Sequence, residues 1–162
     1  MMLKMKETRF IDTSILVEIL GVPDKCSDSD KFRKELVEFY KKPNATLIMP
    51  ISVLIETGNH VNHIKDGSRK TEVLDKFYDI LNMFLTNSSP WSFYGYNFTV
   101  DDTRRIIEHY KVVVYSKVGI GDVFILDAYN QYVEQLKANK KQNHLISIWT
   151  LDEHLSSYSQ KI

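Results

Sequence analysis

Residues 8–14, Thr8-Arg9-Phe10-Ile11-Asp12-Thr13-Ser14, decide how this chain is read. A short apolar run ends at once on a carboxylate and two hydroxyls. β-branched and aromatic side chains favour a strand over 8–11. Helical spacing follows over 14–20 and stops at Gly21 and Pro23. The same grammar returns near the far end, where residues 145–149 (LISIW) run into Thr150, Leu151 and Asp152. In sheets whose strands alternate with helices, ligands gather beyond the carboxyl ends of the strands. Both stretches place an acid and a hydroxyl there. Asp or Thr in such a position also caps the helix that follows, so either stretch alone is open to both readings.

Working outward, helices are expected at 29–40, 51–65, 71–85, 99–110, 122–139 and 153–158. Further strands are expected at 46–49 and 96–98. Thr99 with Asp102 three residues on has the form of a capping box. Residues 111–116 (KVVVYS) suit a strand or a continuation of the preceding helix. Residues 86–95 are irregular but too short to divide the chain, and no last strand is legible after Asp152. The alternation predicts one α/β domain over 1–162, with three α/β/α layers around a mostly parallel, twisted sheet of four to five strands.

Composition sets outer limits. A chain of 162 residues buries roughly 70% of its unfolded surface and needs no disulfide or structural metal. Its single cysteine, Cys26, forms no internal bridge. It reads as a small loop residue in a reducing, cytoplasmic setting. No apolar run reaches the roughly 18–20 residues of a membrane span, and the charged N-terminus lacks a signal-peptide core. The 21 basic and 21 acidic residues cancel, so a polyanionic partner must be met by a local basic rim. Arg9, Arg33, Arg69, Lys70, Arg104, Arg105 and Lys117 are candidates for it. Trp91, Phe93, Tyr94 and Tyr96 are candidate stacking surfaces.

Two further acids stand out. At about 100° per residue, Ile51, Leu54, Ile55, Gly58 and Val61 form one helix stripe and leave Glu56 on the polar face. Asp122 opens the next long helix beside the stripe of Ile125, Ala128, Tyr129, Tyr132, Val133 and Leu136, where a spare carboxylate needs a partner. Gly119 and Gly121 allow close backbone approach there, and Asp127 points to the opposite, solvent side. Asp12, Glu56, Asp122 and Asp152 brought together would repel one another. Divalent metal removes the conflict, and hard oxygen ligands suit Mg²⁺ or Mn²⁺. Such ions can activate water against a phosphodiester.

The motifs FIDTS (10–14), PISVLIETG (50–58), GIGDVFILDA (119–128) and TLDEHL (150–155) make the chain resemble the PIN-domain ribonucleases, VapC-like toxins of toxin–antitoxin systems. The resemblance covers most of the chain. It implies a PIN-like fold with Asp12 and Asp152 on adjacent strands, and metal-dependent endoribonuclease activity at Asp12, Glu56, Asp122 and Asp152. It implies support from Thr13, Ser14 and Thr150, an RNA substrate, an antitoxin partner and a homodimer. Two alternatives stand beside it. One is a PIN-like scaffold that binds RNA or protein without cutting. The other is a zinc hydrolase using Glu56, His60 and His63, spaced i, i+4, i+7. A phosphatase that begins Asp-x-Asp is disfavoured, because Ser14 stands at the third position.

Overall fold

The computed structural model describes residues 4–94 and 97–162. Five strands form one sheet in the order β3-β2-β1-β4-β5. They are β1 (Lys6–Ile11), β2 (Ala45–Ile48), β3 (Trp91–Ser92), β4 (His144–Trp149) and β5 (Ser159–Lys161). β1 lies at the centre, parallel to both β2 and β4, and only β5 runs antiparallel. Between the strands come α1 (Thr13–Leu20), α2 (Ser29–Tyr40), α3 (Ile51–Asn62), α4 (Gly67–Leu85), α5 (Val100–Val113), α6 (Ile120–Ala138) and α7 (Glu153–Ser156).

Successive β1 side chains show why both faces are covered. Phe10 meets Tyr129 and Tyr132 of α6, with ring centroids 5.9 and 5.6 Å away. Arg9, pointing the other way, lies 4.5 Å over the Phe39 ring of α2. A parallel strand clad on both faces favours a run of apolar residues. Phe10, Ile11, Leu47, Ile48, Ile146 and Ile148 are accordingly buried.

Two elements differ from the sequence reading, at 96–98 and after Asp152, and one that it left open, 111–116, takes its helical alternative. The strand expected at 96–98 lies instead at Trp91–Ser92, while Asn97 and Phe98 are irregular and Tyr96 falls outside the described residues. The Pro90 carbonyl accepts the Leu47 N–H at 2.7 Å, and the Trp91 indole N–H donates to the Tyr40 hydroxyl at 2.9 Å. Trp91 is thus a core residue, not a stacking surface. Residues 111–113 continue α5, and a 3₁₀ turn covers Val114–Ser116. Their β-branched composition finds no strand to pair with, so local propensity is overridden. β5 is the last strand the pattern did not show. Its Ser-Gln-Lys carries no apolar signal; backbone pairing with β4 holds it, and Tyr158 and Ile162 on either side pack against the core. The Thr99–Asp102 capping box forms as expected. The Thr99 backbone N–H, with help from Arg105, holds the Asp102 carboxyl down to about 2.

Glu18 is the buried acid the sequence did not single out. It sits in α1 at 1% exposure. Its carboxylate accepts the Ser27 N–H and hydroxyl and the Asp28 N–H at 2.9–3.0 Å, fixing the loop that leads to α2. Burial pushes its pKa up, but these hydrogen bonds outweigh burial and the net shift is downward. A lowered folded pKa stabilises above the ordinary glutamate range, and that contribution is lost as pH falls through the folded value. Glu18→Gln, which sets an amide N–H against donors, should cost on the order of 2 kcal/mol at neutral pH. Denaturant unfolding at neutral and acid pH checks this: the wild-type advantage should shrink on acidification.

Candidate functional site

β1 connects to β2 on one side and lies beside β4 on the other, so the β1/β4 boundary is where the strand order reverses. Ligands of open α/β sheets bind at such a switch point. The two strands end in register, Ile11 opposite Trp149, and the Asp12 N–H donates to the Trp149 carbonyl at 3.0 Å. Asp12 is 7% exposed. Its Oδ1 accepts the Thr13 N–H at 2.7 Å. Its Oδ2 accepts the Ser14 and Thr150 hydroxyls, each at 2.7 Å. Those hydroxyls in turn accept the Leu151 and Asp152 N–H groups at 3.0 Å. Asp152 Oδ1 accepts the Leu155 N–H at 2.9 Å. Both aspartates are therefore helix N-caps and both stand at the sheet's carboxyl edge. The capping and site readings describe the same atoms.

Glu56 reaches this edge from α3, whose orientation differs from the sequence reading. The buried residues are Ser52, Val53, Thr57 and Val61, while Ile55 is 57% exposed. The reason is close helix packing: the Ser52 hydroxyl donates to the Gly121 carbonyl of α6 at 3.1 Å, and small side chains allow the approach. Glu56 Oε2 accepts the Thr13 hydroxyl at 3.0 Å. Its carboxylate also fills the space beside Gly121, where a β-carbon would collide with Glu56 Oε1. The close approach expected of the glycines around Asp122 is thus made to a carboxylate.

Asp122 lies half-buried at the start of α6, its Oδ2 accepting the Gly119 N–H at 3.3 Å. Burial pushes its carboxyl up from the usual range, and the negative charges of Asp12, Asp152 and Glu56 push it further. The four acids thus share one electrostatic neighbourhood. Among the described residues, no three His, Cys, Asp or Glu side chains stand close enough to cage a metal directly. The donor set still fits Mg²⁺ or Mn²⁺, since such ions keep several waters and need only one or two direct carboxylates. It does not fit zinc on Glu56, His60 and His63. Those side chains close no cage, and both histidines line a separate cleft of about 570 Å³ with Pro23 and Lys25. Burial, then the charges of Lys25 and His63, lower the His60 pKa.

The basic rim is largely committed elsewhere. Arg9 binds Glu7. The Arg33 and Arg69 guanidiniums donate to the carbonyls of Ile19 and Gly21 at the end of α1. Lys70 donates to the Asn62 carbonyl, and Arg104 pairs with Asp101. Asp127, expected to face solvent, is 12% exposed at its side chain and takes Arg105 in a bidentate pair at 2.6 and 2.9 Å. That pair ties α5 to α6. Of the candidate cations, Lys117 alone shows no partner among the described residues.

No protein-family model matches the chain, and no curated protein matches it. A solved structure does. A chain of the crystal structure of VapBC2 from Rickettsia felis, bound to a DNA fragment from their promoter, aligns with 88% of this chain and 98% of its own. The TM-score is 0.51 and the identity 18%. The two chains share a fold. At this identity the likeness speaks for the architecture, three α/β/α layers around a mostly parallel sheet.

A raised folded pKa at Asp122 penalises the metal-free fold once pH rises above the ordinary aspartate range, and the penalty is complete above the folded value. Asp122→Asn should therefore raise the metal-free melting temperature at neutral pH and give no gain at about pH 3, where both states are protonated. Thermal melts in chelator across pH check this.

Proposed function

We propose that this chain is a metal-dependent endoribonuclease that hydrolyses RNA phosphodiester bonds at Asp12, Glu56, Asp122 and Asp152. The convergence of four carboxylate charges at the sheet's switch point carries the reading. A divalent cation is the natural relief for such gathered negative charge. The PIN-like resemblance of the motifs and the fold shared with a chain of VapBC2 support it further.

When bound, Mg²⁺ or Mn²⁺ would supply an acidified water and charge neutralisation at the scissile phosphate. The residues prepare that place. Asp12 is fixed from both oxygens by the Thr13 N–H and the Ser14 and Thr150 hydroxyls. Glu56 is oriented by the Thr13 hydroxyl, and Gly121 leaves the room its carboxylate occupies. Burial and the neighbouring acids raise the Asp122 pKa, and a bound cation would favour its charged form. Asp152 commits one oxygen to the α7 cap, and its other oxygen would serve the cation.

The biological role we infer is that of a toxin held by an antitoxin protein, acting in the cytoplasm and pairing as a homodimer. Its support is the VapBC2 likeness and the family resemblance. Among the described residues no helix is long and apolar enough to cross a membrane.

Purified protein should cut RNA with Mg²⁺ or Mn²⁺ and lose the activity in chelator. Asp12→Asn and Asp122→Asn should each lower the rate by on the order of 10²-fold or more. Cleavage unchanged in these variants would remove the site assignment, and cleavage persisting in chelator would remove the metal. RNA binding with no cleavage under any metal would favour the scaffold reading instead.

A further inference from the structure

The four acids occupy one end of the sheet, and the arginines expected to receive RNA beside them are engaged within the fold. At the opposite end, where β4 begins, the charge reverses. The turn from α6 to β4 and the end of β5 enclose an open pocket of about 630 Å³ lined by four lysines, Lys137, Lys140, Lys141 and Lys161, together with Gln142, Asn143 and Ile162. No acidic side chain lines it. Lys137 is paired with Glu134 at 3.3 Å and sits in the last turn of α6, which its charge complements. Lys140, Lys141 and Lys161 lie beyond that helix, are exposed, and have no side-chain partner among the described residues. Lys140 and Asn143 both take positive φ, 52° and 57°, which turns the chain sharply and sets the lysines around one hollow.

The path between the two ends is also distinctive. β5 is the edge of the sheet, so its outer backbone groups are unpaired within the sheet. The chain from the end of α7 through β5 presents Ser157, Ser159, Gln160 and Lys161, all exposed and none acidic. Its partner strand β4 has six residues, about 20 Å at roughly 3.3 Å per residue. An extended polyphosphate chain can cover that length while meeting donors and then free cations.

We propose that the Lys140/Lys141/Lys161 pocket is a distal phosphate-binding subsite for RNA, reached along the β5 edge from the acid cluster. The inference rests on the ribonuclease reading and adds a substrate class: RNA strands long enough to span both ends of the sheet. Sequence-independent contacts to the backbone hold the strand there, and the acids act on the part that reaches them.

The test measures binding apart from cleavage. The Asp12→Asn protein, without divalent metal, is titrated with single-stranded RNA of about 16 nucleotides and with a tetranucleotide over a range of salt. The long RNA should bind more tightly and with the steeper salt dependence. Lys140→Ala with Lys141→Ala and Lys161→Ala should weaken long-RNA binding at least tenfold and lower its log–log salt slope by about 2, leaving the tetranucleotide and the melting temperature unchanged. Removing Lys31 and Lys34 from α2 should leave the slope as it was. Equal loss from the α2 pair, or no loss from the triple, would overturn the subsite. RNA cleavage by the wild-type protein is scored separately: if neither length is cut with Mn²⁺, the underlying ribonuclease reading fails, whatever the binding shows.

Discussion

The parallel pairing of β1 with β4 is the constraint on which the rest depends. These strands are far apart in sequence and adjacent in the sheet, in register from Lys6 against His144 to Ile11 against Trp149. Their common end puts Asp12, Ser14, Thr150 and Asp152 within reach of one another. The hydroxyls of Ser14 and Thr150 lock the arrangement, each donating to Asp12 while accepting an N–H from the chain that leaves β4. A slip of one residue would turn every β1 side chain to the opposite face. Phe10 would leave Tyr129 and Tyr132, Arg9 would leave Phe39, and the site would come apart with the core.

Two sequestered carboxylates in this fold are distinguished by what answers their charge. Glu18 is deeply buried, but N–H and O–H donors satisfy it and its pKa falls. It holds a loop. Asp122 is less buried, receives one long backbone hydrogen bond, faces three like charges, and its pKa rises. A fold that only needed a helix cap would not keep such a group beside three other acids. This like-charge crowding at the switch point is the observation on which the proposed function rests.

Much of this was legible in the sequence because the strongest signals were local. Strand-then-acid grammar located the ends of β1 and β4, and helical spacing located α2 and α6. The glycine before Asp122 announced a close approach, although its partner, Glu56, was hidden. What the pattern missed was decided by tertiary contact. α3 turns a small polar face inward because it packs against α6, so Ser52 is buried and Ile55 is exposed. β5 exists through backbone pairing, which side-chain periodicity does not record. The arginines of the expected rim looked available, but each answers a carboxylate or backbone carbonyl whose position only the fold supplies.

The molecule is neutral in sum and polar in layout, with acids at the carboxyl end of the central strands and free lysines where β4 begins. A neutral total therefore does not speak against a polyanionic substrate. The whole account turns on whether the four acids receive a divalent cation. Anomalous diffraction from crystals soaked in Mn²⁺ tests this most directly. The account predicts a manganese peak at the switch point, within direct or single-water reach of Asp12 and Asp122. No peak there, or manganese bound instead at His60 and His63, would contradict it.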